Sequence, residues 1–312
     1  MKWRVRSWVS LVAPCVVGSA CGAHLDASDA GTDGPSAQDA TSIRDAEPDT
    51  AAATDVGRAR SPGFASFSVP GPRDPDYSVE GSVVRDTLTG LVWERASSPV
   101  RLTFDAAVAR CDALTLDGHD DFRMPTRVEL VSLLRTSASP SIHPTFSPTP
   151  ADYFWTRSLH PRRDTSTTTV YFGAAEIVHA LTSDPSAYVR CVRARPEGEG
   201  AVREPSGRIL DRGTGLVWSH LAPRLSFEDA VVGCEARGAR VPTLDELATL
   251  IDDTRIDPAI DLATLGGEAG PTWSSSPSSI PGERVGLDLA RGPSVRLRER
   301  ELAWVRCVET SS

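Results

Sequence analysis

Several features that mark other protein classes are missing from this 312-residue sequence. No apolar run of about 20 residues follows the N-terminal segment, which excludes a polytopic membrane protein. Lysine is almost absent, and 33 basic side chains stand against 42 acidic ones, giving a net charge of -9. This balance argues against a general nucleic-acid binder, which needs a basic face. Gly-x-Ser-x-Gly, phosphate-loop and dinucleotide motifs are absent as well, so no common catalytic signature is present.

The N-terminus has the parts of an export signal. Basic residues precede an apolar run, Trp8–Val17, and small residues then precede Cys21. A cysteine in this position resembles the lipobox of bacterial lipoproteins, although Gly18 stands where leucine is usual. We therefore expect a signal peptide over residues 1–20 and a lipid on Cys21, with the protein at the outer membrane or cell surface. Plain secretion, or release into the periplasm, is the alternative.

Residues 21–76 have the composition of a flexible acidic tether. The segment is rich in Ala, Asp, Ser, Thr and Pro, and residues 22–75 carry nine acidic and four basic side chains. Its only aromatic residues are Phe64 and Phe67. So little apolar surface does not offset the entropy of ordering the chain, which predicts disorder.

The rest of the chain is an internal duplication. Six blocks occur twice in the same order, which predicts two domains, 77–195 and 203–310, joined by a linker at 196–202. Each is long enough for a core of its own. The paired blocks are Asp86–Trp93 with Asp211–Trp218, Leu102–Cys111 with Leu225–Cys234, Arg123–Leu130 with Arg240–Leu247, Ile142 and Pro144 with Ile256 and Pro258, Trp155 and Ser158 with Trp273 and Ser276, and Tyr188–Val192 with Trp304–Val308.

The repeated blocks predict an α+β fold. Thr103 and Ser226 are expected to cap a first helix in each repeat. The Pro-Thr-x-x-Glu sequences, Thr126–Glu129 and Thr243–Glu246, are capping boxes that open a second helix. We therefore assign the two glutamates to capping and not to catalysis. Short strands complete each domain, which gives two helices among several antiparallel strands.

Four cysteines are placed symmetrically in the two repeats. Cys111 and Cys191 lie in the first helix and last strand of the first copy, and Cys234 and Cys307 lie at the equivalent positions of the second. In an exported protein this arrangement predicts one disulfide per domain. A thiol nucleophile would need an adjacent His, and zinc would need clustered ligands, and neither pattern occurs.

The motifs together resemble a bacterial domain family named for the C-terminal domain of the Legionella collagen-like protein, Lcl. They are Thr-Gly-Leu-Val-Trp, Arg-(Met/Val)-Pro-Thr-x-x-Glu-Leu and Val-Arg-Cys-Val. Gly118–Thr126 is close to the family's Gly-x-x-Asp-Trp-Arg-Leu-Pro-Thr, with Phe122 in place of Trp, whereas the second copy abbreviates this block. The resemblance covers both repeats and implies two tandem C-type-lectin-like domains. The family's namesake is an adhesin that binds sulphated glycosaminoglycans.

An anionic ligand would need a local arginine cluster, because neither repeat is basic overall. The candidates are Arg162 and Arg163 in the first repeat, and Arg296, Arg298 and Arg300 in the second, near Arg291. The last three alternate, so they are expected to share one strand face as a stripe. The alternative is a solvated edge that discourages aggregation.

Other candidate chemistry is weaker. No histidine recurs at equivalent positions in the two copies, which excludes a metal site duplicated with the scaffold. Asp117, Asp120 and Asp121 carry oxygens suited to calcium, but we expect Asp121 to anchor Arg123 or cap the turn. The five tryptophans after the signal peptide all occupy repeated positions and are expected in the core. We expect no metal and no cofactor.

These observations predict a non-enzymatic cell-surface lipoprotein with tandem binding or adhesion modules. The expected ligand is a glycan, an envelope component or a surface protein, and the expected membrane contact is the lipid anchor. Nucleic acid is not an expected partner. One alternative is an enzyme on a lectin-like scaffold, of the formylglycine-generating type. The other is a purely structural envelope protein, because fold analogy alone does not assign activity.

Overall fold

Each repeat begins with a short antiparallel meander whose turn is closed by an aspartate. The computed structural model describes residues 61–69, 71, 76–183, 187–193 and 198–309. Asp86 Oδ1 accepts hydrogen bonds from two backbone amides of its own turn, and Asp211 Oδ1 does the same. The strands are β1 (Tyr77–Glu80), β2 (Val83–Asp86) and β3 (Val92–Glu94) in the first repeat, and β8 (Ala201–Arg203), β9 (Ile209–Asp211) and β10 (Val217–Leu225) in the second.

The helices start where the capping residues predict. Thr103 and Ser226 cap α1 (Phe104–Asp112) and α3 (Phe227–Glu235). Both predicted capping boxes are confirmed: each opens a five-residue helix, α2 (Arg127–Val131) or α4 (Leu244–Ala248). The described part also contains a 3₁₀ turn, Pro144–Phe146, and the short helix α5, Leu262–Leu265.

The remaining strands complete mixed helix-and-strand repeats with mainly antiparallel sheets. The first repeat adds β4 (Tyr153–His160), β5 (Arg163–Tyr171), β6 (Glu176–Leu181) and β7 (Val192–Arg193). The second adds β11 (Ala239–Arg240), β12 (Pro271–Thr272), β13 (Glu283–Asp288), β14 (Ser294–Arg298) and β15 (Ala303–Glu309). In the described part of the chain these strands form three sheets: β1-β2-β3-β7, β4-β5-β6, and β14-β13-β12-β15-β10-β9-β8 with β11 on β15.

The predicted disulfides are confirmed. Cys111 is bonded to Cys191 and Cys234 to Cys307, so each bridge ties the first helix of a repeat to its last strand region. All four cysteines are fully buried. Because the bridges lie within repeats, neither repeat is intertwined with the other through a covalent link.

Each repeat has a hydrophobic cluster of its own, and a third cluster contains residues of both repeats. One cluster around Phe104 and Trp155 belongs to the first repeat, and another around Trp273 and Val305 belongs to the second. A third and larger cluster contains residues of both, including Leu130 and Leu247 from the paired second helices. The two repeats therefore pack together as parts of one compact unit.

Part of the predicted tether is packed against this unit. Ala65 and Phe67 are only 2% and 7% exposed and belong to the shared cluster. The backbone of Pro62 accepts a hydrogen bond from Asp253 N, and that of Phe64 accepts one from Gly198 N. The packed region therefore begins well before residue 77, because Phe67 enters a core that the repeats supply, while Phe64 is half-buried.

Two further predictions concern the linker between the repeats and the N-terminal segment. Strand β8 begins at Ala201, inside the predicted linker 196–202. The signal peptide and Cys21 lie outside the described residues. Within the described ranges, no helix is both long and apolar enough to cross a membrane.

Candidate functional site

In the repeated Arg-x-Pro-Thr-x-x-Glu motif, a half-buried arginine forms an ion pair with a buried glutamate at the start of the second helix. Arg123 donates to both carboxylate oxygens of Glu129, at 2.9 and 2.6 Å. Arg240 and Glu246 repeat the arrangement at 2.7 and 2.6 Å. Each glutamate also accepts from the amide of its capping threonine, at 2.8 Å. These carboxylates are saturated with donors, so their role is to fix the helix start and the adjoining strand.

The aspartates before this motif have different partners from those expected. Asp121 pairs with Arg193, with Nη2 to Oδ2 at 3.1 Å, and not with Arg123, whose fork is occupied by Glu129. Asp117 accepts a hydrogen bond from Ser82 N at 2.8 Å. Among the described residues, no three His, Cys, Asp or Glu side chains are grouped so that they could hold a metal ion.

The arginine of the repeated Val-Arg-Cys-Val motif is buried and donates hydrogen bonds to backbone carbonyls of neighbouring segments. Arg190 donates to the carbonyls of Glu94, Arg95 and Phe146 and to Thr149 Oγ1. Arg306 donates to the carbonyls of Leu265, Gly266 and Glu268. Burial lowers the pKa of both guanidinium groups to about 10, so both stay charged at neutral pH. Each arginine therefore fixes a long loop onto the sheet of its own repeat.

Arg127 joins the two repeats. Its Nε lies 2.9 Å from Asp253 Oδ1, and its two terminal nitrogens donate to the carbonyls of Ala248 and Ile251 at 2.9 and 3.2 Å. The side chains of Arg127 and Asp253 are only 1% and 6% exposed. Burial raises the pKa of Asp253 and Arg127 opposes that rise. Leu244 stands at the equivalent place in the second repeat, so this contact is specific to one copy.

Two edge strands, β6 of the first repeat and β14 of the second, face each other beside this junction. We call this line of contact the seam. Ile177 N donates to Ser294 Oγ at 2.8 Å, and His179 Nε2 lies 3.3 Å from the carbonyl of Arg291. Burial lowers the pKa of His179, which favours its neutral form at neutral pH. Side-chain contacts therefore hold the two edges together without a backbone ladder.

The structure divides the predicted arginines into two groups. Arg162 and Arg296, from different repeats, come to the two ends of the seam. Arg296 lies 3.2 Å from Glu176, while Arg162 and Arg291 both lie 3.7 Å from the single carboxylate of Asp257. The contacts on β6 run from Glu176 to His179, about 10 Å along the strand.

The remaining candidates lie on either side. Arg163 is exposed at the first residue of β5, next to Arg162. Strand β14 ends at Arg298, so Arg300 lies beyond it in a turn and the predicted three-residue stripe is wrong. Arg298 and Arg300 border a hollow that three glutamates also line: Glu283, Glu299 and Glu301. This mixed charge makes that end a poor site for an anion.

The sequence pattern did not indicate the acidic residues of the seam or of the neighbouring Arg127–Asp253 contact. Glu176, Asp257 and Asp253 occur in only one copy, so no repeated motif contains them. The available signal was the non-repeated charge at Arg127, inside an otherwise repeated capping box. A charge at that position is informative because its counterpart, Leu244, is buried and apolar.

The geometry defines a mixed α and β protein with antiparallel sheets, small structural helices and an arginine-lined seam between its two repeats. Residues 82–193 match the family model of the Lcl C-terminal domain, which confirms the predicted resemblance for the first repeat. No curated protein was found to match the sequence.

Proposed function

We propose that this protein is a non-enzymatic surface lipoprotein whose seam binds an extended anionic ligand, a glycan in particular. The observation that supports this is the convergence of arginines from two different repeats. Arg162, Arg163, Arg291 and Arg296 follow the seam, and among the described residues the only carboxylates paired with them are those of Glu176 and Asp257. A line of cations drawn from two repeats suits a polyanion better than a single small anion.

We also propose that the second repeat is a second Lcl C-terminal-like domain and that both have a C-type-lectin-like fold. This proposal is supported by structural details that agree between the two copies. They are the disulfides, the capping boxes with their arginines, and the buried arginines Arg190 and Arg306. In such a scaffold the recurring residues maintain the fold, and ligand specificity lies in the parts that differ.

An enzyme of formylglycine-generating type remains the second candidate. That chemistry depends on reactive cysteines or a bound metal. All four cysteines of the described ranges are held in disulfides, which supports the binding function over this alternative. No observation on the seam favours catalysis, since its carboxylates are each paired with arginine.

Neutralising the seam should weaken binding of an anionic glycan by about tenfold or more, because each exposed charge pair contributes up to about 1 kcal/mol. The variant carries Arg162→Gln, Arg163→Gln, Arg291→Gln and Arg296→Gln. Its binding to dextran sulfate is measured by calorimetry, with neutral dextran as the ligand control. Wild-type affinity should fall steeply between low and high salt, because exposed charges are screened.

The matched control carries Arg298→Gln and Arg300→Gln, which remove two arginines outside the seam. This control should keep most of the wild-type affinity. Equal loss in both variants would show that net charge, and not the seam, governs binding. Binding that does not respond to salt would contradict the electrostatic proposal.

The proposed anchor predicts a second result, at the membrane. Cys21→Ser should release the protein from the membrane fraction, because the thiol that carries the lipid is gone. Fractionation of cells that express wild type and variant, followed by immunoblotting, measures this. A serine variant that stays with the membranes at the wild-type level would show that something other than a lipid on Cys21 holds the protein there.

A further inference from the structure

Trp304 differs from the other tryptophans of the described chain. Trp93, Trp155, Trp218 and Trp273 are between 0% and 3% exposed, as expected for core residues. Trp304, which was expected in the core with them, is only half-buried. Its neighbour Leu302, which precedes β15, is 60% exposed. A large aromatic side chain that is left partly in water on a rigid strand is available to a ligand.

The hydrogen bonds around Trp304 in the second repeat have exact equivalents in the first repeat. Trp155 Nε1 donates to the carbonyl of Leu102, and Trp273 Nε1 donates to that of Leu225, both at 2.8 Å. Trp155 N also donates to Tyr188 O, as Trp273 N does to Trp304 O. Tyr188 is therefore the structural counterpart of Trp304. Arg101 and Arg224, which precede the two leucines, are counterparts in the same way.

The two copies differ in what neutralises this arginine. In the first repeat Arg101 pairs with Asp152, with Nε to Oδ2 at 3.0 Å. This hydrogen bond, with a smaller contribution from Tyr188, raises the pKa of Arg101. In the second repeat the position of Asp152 is taken by Gly270, which lies against the edge of the Trp304 ring. Among the described residues Arg224 has no carboxylate partner, and its guanidinium carbon lies 5.9 Å from the centre of the Trp304 ring.

The first repeat thus has an acid beside its arginine, whereas the second has none at the equivalent position. We propose that Trp304 and Arg224 form a second binding site, which we call the Trp304 site, for a sugar ring that carries a carboxylate. The apolar face of the sugar would stack on the indole, and its carboxylate would pair with Arg224, as Asp152 pairs with Arg101 in the first repeat. No described residue accepts a hydrogen bond from the indole N–H, which leaves this donor for a sugar hydroxyl.

The Trp304 site is separate from the seam. In the large sheet, β12 and β13 lie between β15, which carries Trp304, and β14, which borders the seam. Residues 222–224 form a bulge opposite Trp304, because Leu221 pairs with Val305 and Leu225 with Ala303. The bulge leaves Arg224 exposed to solvent next to the indole ring of Trp304. The inference therefore does not rest on the proposed function of the seam.

The test uses tetragalacturonate, in which every ring carries a carboxylate, with its methyl ester as the uncharged form of the same sugar. Full-length protein should bind the acid at least tenfold more tightly than the ester and should show a change in tryptophan fluorescence. Trp304→Leu and Arg224→Gln should each weaken binding at least tenfold, while Trp304→Phe, which keeps an aromatic face, should retain part of it. Arg224 is exposed, so its variant is expected to fold normally.

The matched control is Arg101→Gln, the equivalent change at the arginine that Asp152 already neutralises. This control should bind like wild type, and so should Arg298→Gln with Arg300→Gln, which lies outside both proposed sites. Equal binding of acid and ester, or equal losses in Arg224→Gln and Arg101→Gln, would overturn the proposal. Competition by hexaglutamate at the same affinity as tetragalacturonate would also overturn it, because the occupant would then be an acidic peptide.

Discussion

Replacing Arg127 by alanine is expected to lower the free energy of unfolding by about 3–5 kcal/mol, the usual cost of leaving a buried charge without its partner. Asp253 would keep a carboxylate that is 6% exposed, with no cation in contact. The carbonyls of Ala248 and Ile251 would lose their donors as well. Urea unfolding at pH 7.5, followed by circular dichroism, measures the loss.

A second variant separates charge from packing. Arg127→Leu places at this position the residue found at its counterpart, Leu244, and should still destabilise because Asp253 remains charged. Adding Asp253→Asn removes that charge and should restore part of the loss. Similar stability of Arg127→Leu with and without Asp253→Asn would show that the ion pair contributes little.

The effect of Arg127→Ala should also depend on pH. Burial already raises the pKa of Asp253, and removal of the opposing guanidinium raises it further. A group whose pKa is raised on folding binds more protons in the folded state, so stability increases as pH falls through that range. The difference between wild type and variant should therefore be smaller at pH 5 than at pH 7.5. An equal difference at both values would contradict the assignment of the loss to Asp253.

Removing either disulfide is expected to cost about 2–5 kcal/mol, since the bridges close loops of 80 and 73 residues. The variants are Cys111→Ala with Cys191→Ala, and Cys234→Ala with Cys307→Ala. Alanine is preferred to serine because these positions are fully buried. A serine there would bury a hydroxyl group without a hydrogen-bond partner. Thermal unfolding followed by calorimetry gives the loss for each bridge.

The shared core gives this experiment a second readout. Residues of both repeats belong to one buried cluster, so loss of one bridge should shift the whole transition and leave it single. Two separate transitions, with only the repeat lacking its bridge moving, would instead show that the repeats unfold independently. Free-thiol titration of the wild-type protein controls for incomplete oxidation.

The features that the sequence predicted well are those set by neighbouring residues or by repetition. Capping boxes depend on a threonine and a glutamate three positions apart, and the structure forms them at both predicted places. The disulfides followed from cysteines that occupy equivalent positions in two copies. Local chemistry and internal comparison were sufficient in both cases.

The features that the sequence did not predict depend on how the two copies pack. Arg127 meets Asp253 across 126 positions of sequence, and nothing local marks that pair. The same holds for Phe67, whose surroundings are polar in sequence but whose side chain enters the shared core. At Trp304 repetition predicts a core residue, but the side chain is only half-buried. Packing between the two copies makes equivalent positions differ. The seam and the Trp304 site, where we propose ligand binding, are two of the places at which the copies differ.

The packing of residues 61–69 has a mechanical consequence for a chain held at its N-terminal end. A pull on a bound ligand would be resisted first where this segment joins the folded unit. Its hydrogen bonds there are made to Asp253 and Gly198, in and just before the second repeat, although the first repeat is the next one along the chain. Tension would therefore load this attachment before it reached β1, and the two disulfides would shield the loops behind it from extension.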